Sequence, residues 1–155
     1  MLEIRKRVLG EEHPDTLTSM ANLADTYRQR GRLEEAEELS VRVLEIRKRV
    51  LGEEHPHTLT SMANLAVTYS QQGRLEEAEG LNVRVLEISK RVLGEEHPDT
   101  LMAMDHLAWT WKDLGYHHDA RELMRKTVDL SRKILGPQHS YTVKWVMYFE
   151  AYFRM

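Results

Sequence analysis

The feature that most constrains this chain is a repeat. Gly10, Gly52, Gly94 and Gly136 mark the same point in successive units, each 42 residues from the last. The stretch LGEEHPDTLTSMANLADTYRQRGRLEEAEELSVRVLEIRKRV begins at Leu9, returns almost letter for letter from Leu51, and recurs more loosely from Leu93. The first two units agree at roughly five positions in six, which is the self-similarity of a stacked array, not of one ordinary globule. Residues 1–155 therefore read as a single array. Residues 1–9 are the second half of a preceding unit's second helix, 10–51, 52–93 and 94–135 are three units, and 136–155 supply the first helix of a fourth.

Within a unit the pattern is helical throughout. From Pro14 to Arg30 the apolar residues Leu17, Met20, Leu23, Ala24 and Tyr27 form one stripe of an amphipathic helix, expected to be its buried face. Pro14 suits the first helical position, and Gly31 stops the helix. A two-residue turn leads into a longer helix, Leu33 to Leu51, with Leu33, Ala36, Leu39, Val43, Ile46 and Val50 as its main stripe. Glu34, Glu35, Glu37 and Glu38 crowd its first turns and Arg47, Lys48 and Arg49 its last, both placements favouring the helix dipole. Arg47 is expected to face outward. The fourth unit predicts one helix from Tyr141 to about Arg154. No strand is expected anywhere.

Composition narrows the chemistry. There is no cysteine, which excludes disulfides and thiolate metal sites and suits a reducing, cytoplasmic setting. No signal-peptide pattern opens the chain, no apolar run approaches membrane-spanning length, and no membrane partner is expected. The net charge of −3 comes from finely mixed acids and bases. Arg5-Lys6-Arg7 is flanked by glutamates, so it reads as a solvated helix end and not as a nucleic-acid site. His13, His55, His97 and His139 recur once per unit, too far apart to share a metal, and His117-His118 beside Asp119 reads as a polar helix start. No catalytic set and no Gly-rich phosphate loop occurs, so neither an enzyme nor a cofactor is expected.

Leu23, Ala24, Tyr27, Gly31 and Ala36 stand in the Leu–small–x–x–Tyr…Gly…Ala pattern of tetratricopeptide repeats. Leu65, Ala66, Tyr69, Gly73 and Ala78 repeat it, as do Leu107, Ala108, Trp111, Gly115 and Ala120. The 42-residue period and the LGEEHP connector resemble the kinesin-light-chain type. The resemblance implies an all-α solenoid of antiparallel helix pairs forming a right-handed superhelix, and a non-catalytic module that binds a peptide or protein segment in a concave groove. Near-identical tandem copies followed by Leu107-Ala108-Trp109-Thr110-Trp111-Lys112 also resemble the C-terminal repeats of fungal NLR-like (STAND) proteins, where such an array senses a ligand.

Comparison of the units with one another separates scaffold from specificity. Beside the nearly constant core stripe of the first helix, Asp25 becomes Val67 and then Trp109, while Arg28 becomes Ser70 and then Lys112. Asn22, Asn64 and His106 occupy the neighbouring turn. The resemblance places the peptide groove on this face, with Thr18, Gln29, Thr60, Gln71, Met102 and Asp105 completing it and Trp109 as the foremost anchor. An asparagine amide can both donate to and accept from an extended backbone. The carboxylate clamp of chaperone-binding tetratricopeptide domains is not expected, because Thr18 precedes Asn22 by one turn where that clamp has lysine. The last helix carries Trp145, Tyr148, Phe149, Tyr152 and Phe153. By repeat phase Phe149 and Phe153 match Leu23 and Tyr27, and an uncovered aromatic face there predicts self-association through the chain's ends.

Overall fold

The computed structural model describes Leu2–Arg154; residues 1 and 155, the outermost of the expected array, lie outside the described residues. Its elements, in order, are helices α1 (Leu2–Leu9), α2 (Pro14–Gln29), α3 (Leu33–Leu51), α4 (Pro56–Gln71), α5 (Leu75–Val92), α6 (Pro98–Asp113), α7 (His117–Ile134) and α8 (Ser140–Tyr148). A π-helical turn follows at Phe149–Phe153. Every described residue outside these elements lies in a turn, a bend or irregular chain.

The shorter helices start and stop by one repeated device. His13, His55, His97 and His139 cap α2, α4, α6 and α8, each Nδ1 accepting the backbone N–H two residues on, at 3.1, 3.0, 3.0 and 3.1 Å. Each cap occupies one of the helix-start donors that would otherwise have no partner. At the far end of α2 the Arg32 N–H reaches back to the Tyr27 carbonyl at 2.8 Å, closing a Schellman turn. Gly31 stands at φ 79° in that turn, a conformation glycine adopts without a Cβ penalty. The same bond recurs at 2.8 Å from Arg74 to Tyr69 and from Tyr116 to Trp111.

The packing divides into two compact units, the first ending at Arg74 and the second beginning at Leu75. In the first, Leu17, Met20, Val43 and Ile46 form the core between α2 and α3, with Leu2 and Leu39 against it. Ala24 and Ala36 are buried, and their small side chains bring the two helices close. Leu23 and Tyr27, expected in the core, are only partly buried, whereas Leu65 at the matching position of α4 is 4% exposed. They border an open cleft of about 520 Å³ lined by α1, α2 and α3, so no helix lies directly over them. Val50, expected in the main stripe, is exposed at the end of α3.

Arg47 is also not where the sequence pattern put it. The side chain is 8% exposed, and its Nη1 donates to Ser61 Oγ at 2.8 Å and to the His57 carbonyl at 3.4 Å on α4. Burial pushes its guanidinium pKa down. A basic residue near a helix C-terminus fits the dipole whether it faces solvent or a neighbour, so sequence alone did not separate the two. Arg5 on α1 makes the same pair of contacts, to Ser19 Oγ at 2.5 Å and to the Asp15 carbonyl at 3.1 Å.

In the second unit, Leu101, Met104, Leu107, Ala108, Ala120 and Met124 are buried where α5, α6 and α7 pack together. α5 runs unbroken through Gly80. The expected single final helix is instead α8 plus the π-helical turn, which widens the helix by one residue and takes the side chains beyond it off the repeat's phase. Trp145 is fully buried and Phe153 is 3% exposed, which corrects the expectation that both lie on an open aromatic face. Tyr148 and Phe149 are partly buried; of the five, Tyr152 alone is exposed.

Candidate functional site

The first unit holds a polar recess on the face that α2 and α4 share. It is a small opening of about 20 Å³, room for one water-sized group, lined by Ala21, Ala24, Asp25, Arg28, Ser40, Val43, Ser61, Asn64 and Thr68. Its walls follow from the repeat: small residues occur where α2 and α4 approach α3, and the recess remains between them. Asp25 and Arg28 form an ion pair at its edge, one turn apart on α2, and Gln29 Nε2 donates to Asp25 Oδ2 at 3.3 Å. Thr68 Oγ1 donates to the Asn64 backbone carbonyl at 3.3 Å.

Of the residues expected to form a groove, the structure brings Asp25, Arg28 and Asn64 together at this recess. Thr18, Asn22, Gln29, Thr60 and Gln71 are exposed, and Val67 and Ser70 partly buried; none of these seven lines the recess. Ser40, Ser61 and Thr68 do line it and were not anticipated. The signal that could have found Ser40 was its change to Asn82 between two units that otherwise hardly differ.

The matching positions in the second unit carry larger side chains. Two repeats on in the sequence, the positions of Ala21, Ser61, Asn64 and Thr68 carry Asp105, Trp145, Tyr148 and Tyr152. The Trp109 ring packs against Tyr148, Tyr152 and Phe153 at centroid distances of 5.4, 5.3 and 4.9 Å, with Lys112 Nζ 5.9 Å from it. Trp109 is therefore partly buried against its own chain, not a fully exposed anchor. Met102, His106 and Lys112 are partly buried as well.

Asp105 is 7% exposed, and neither its Oδ1 nor Trp145 Nε1 completes a hydrogen bond. Burial pushes the Asp105 carboxyl pKa up, opposed by the charges of His106 and Lys144 and by the indole N–H groups of Trp145 and Trp109 nearby. Burial pushes the neighbouring His106 imidazole down, with Asp105 opposing and Lys144 adding to the shift. Among the described residues no cluster of three or more His, Asp or Glu side chains is arranged to hold a metal, and no helix is long and apolar enough to cross a membrane.

Alternating short and long helices, joined by glycine turns and small-residue contacts and repeating every 42 residues, define a helix-hairpin repeat protein. The chain belongs to the tetratricopeptide-repeat family, whose models match residues 2–48, 22–88 and 100–141. Among solved structures it is similar to a Podosopora anserina protein assigned as a kinesin light chain with nearly identical tetratricopeptide-like repeats. That match has 32% identity and a TM-score of 0.80, and covers 96% of this chain and 70% of that one; a single-substitution variant of the same protein matches at 0.81. BtubC (BKLC) from P. vanneervenii shares the fold at 22% identity and a TM-score of 0.81, over 96% of this chain and 59% of that one. The Sgt2 tetratricopeptide domain from Aspergillus fumigatus shares it at 15% and 0.58, over 89% and 78%. No curated protein matches the chain significantly. Tetratricopeptide repeats are generally non-catalytic modules for protein interaction.

Proposed function

We propose that the chain binds an extended peptide segment of a protein partner along the face of α2 and α4, with the Asn22 and Asn64 amides fixing the peptide backbone. The observation that carries this reading is the polar recess bordered by Asp25, Arg28 and Asn64, on the face where otherwise near-identical units differ. In the second unit, considered by itself, Met102, His106, Trp109 and Lys112 give α6 a contact face of its own, with the aromatic cluster around Trp109 as its apolar part. In the NLR-like setting, this binding would be the ligand-sensing step.

Panning a random peptide display library on the chain tests the reading. Enriched peptides should lose at least about tenfold in affinity with Asn64→Ala, roughly the value of one polar contact at such a face. The exposed Glu34→Ala should leave affinity unchanged. Equal losses from both variants, or no enriched peptide at all, would sink the proposal.

A second reading, self-association, is favoured by the exposed Val143, Met147 and Tyr152 near the end of the second unit. Sedimentation at tens of micromolar distinguishes it: a concentration-independent monomer, unchanged by Met147→Glu, rules it out for this chain.

A further inference from the structure

We infer that the recess at Ser40 receives a carboxamide from the bound partner, so that the groove selects a peptide carrying asparagine or glutamine at one position. The inference rests on the groove reading above and adds the chemistry of one anchor.

The chain supplies its own template. Ser40 on α3 and Asn82 on α5 occupy the same repeat position, as do Thr68 on α4 and Thr110 on α6. In the second unit Asn82 is 5% exposed, and its Nδ2 donates to Thr110 Oγ1 at 2.9 Å, while Thr110 donates onward to the His106 carbonyl at 3.1 Å. The carboxamide thus spans the space between the two helices. In the first unit Thr68 is held the same way, its hydroxyl donating to the Asn64 carbonyl at 3.3 Å and its lone pairs left to accept. Serine is too short to reach it, and the recess lies where the carboxamide would be. Ser40 is itself 8% exposed and lines the recess. Thr68 lines it too, and Thr68 Oγ1 has acceptor capacity left beyond the bond it donates. A partner carboxamide at the mouth of the recess, its NH2 taking the one water-sized space and the rest of the amide in the groove, would donate to Thr68 Oγ1 and accept from Ser40 Oγ. A free carboxylate fits less well, because it offers no proton to Thr68, and an apolar side chain would offer neither hydroxyl a partner.

The test is to pan a random peptide display library on the intact chain and measure the enriched peptides against Ser40→Asn. That substitution rebuilds the second unit's contact inside the first and fills the recess. Enriched peptides should share an asparagine or glutamine at one position, and Ser40→Asn should weaken them at least about tenfold while its melting temperature is unchanged or higher. Should Ser40→Asn melt lower, Thr68→Val, which keeps the shape and removes the acceptor, should weaken the same peptides in its place. Enriched peptides lacking a common amide residue, or peptides bound equally by wild type and variants, overturn the inference and leave the groove reading standing. The absence of any enriched peptide overturns both.

Discussion

Truncating Leu65 and Leu23 in turn separates what a repeat's sequence dictates from what its neighbours supply. The two leucines hold the same place in near-identical helices, yet Leu65 is 4% exposed and Leu23 borders an open cleft of about 520 Å³. Leucine to alanine removes about 2.4 kcal/mol of transfer energy at full burial, taking about 0.8 kcal/mol for each carbon lost. At Leu65 the truncation also leaves a closed cavity, which brings the expected cost to about 3–4 kcal/mol. At Leu23 water can fill the space and part of the side chain is already wet, so about 1–2 kcal/mol is expected. For a chain of this size each kcal/mol moves the midpoint by about 2–4 °C, which sets the two variants about 4–8 °C apart. Urea denaturation followed by far-UV circular dichroism would measure both, with equal m-values as the check that the same transition is being compared. Equal costs at the two positions would refute the packing argument.

Two further predictions bear on side chains whose setting the structure revealed. Arg47→Ala should cost about 1–2 kcal/mol through lost packing and the lost bond to Ser61, where a solvent-facing arginine would cost less than about 0.5 kcal/mol; the same urea titration decides. Asp105→Asn should stabilise the chain at pH 7.5. Burial raises the folded carboxyl pKa above its unfolded value, so wild type is favoured below the ordinary aspartate range and loses that advantage as pH rises through the raised value. The gain from Asp105→Asn should therefore shrink as pH falls toward 4.5, and a gain independent of pH would contradict the assignment.

Much of the helix plan was legible in the sequence because the 42-residue period put punctuation at known offsets. Pro14 and Gly31 bracket α2, and Leu33 and Leu51 bound α3 as the apolar spacing predicts. What escaped has physical causes. Trp145 and Phe153 were misplaced because their exposure was inferred from a missing covering helix, whereas the chain covers them itself: Phe153 packs on Trp109, and Trp145 lies beside Tyr141. Arg47 was misplaced because a charge at a helix end satisfies the dipole in either orientation. Leu23 differs from Leu65 only in what covers it, which a one-dimensional pattern does not encode. At the candidate site, Asp25, Arg28 and Asn64 were legible as variable or polar positions on one helix face. Ser40 was not, because it lies on the long helix, whose apolar stripe marked it as scaffold, and its meaning comes from the amide that Asn82 places at the same point.

The central claim, that a peptide lies along α2 and α4 over the recess, is tested most directly by an ¹⁵N–¹H NMR titration of the chain with an enriched peptide. The account predicts that backbone and side-chain amide shifts concentrate at Asn22, Asp25, Asn64 and Thr68, with the exposed residues Glu34 and Lys48 of α3 unmoved. Shifts centred on Glu34 and Lys48, with the Asn22 and Asn64 amides unperturbed at saturation, would contradict it.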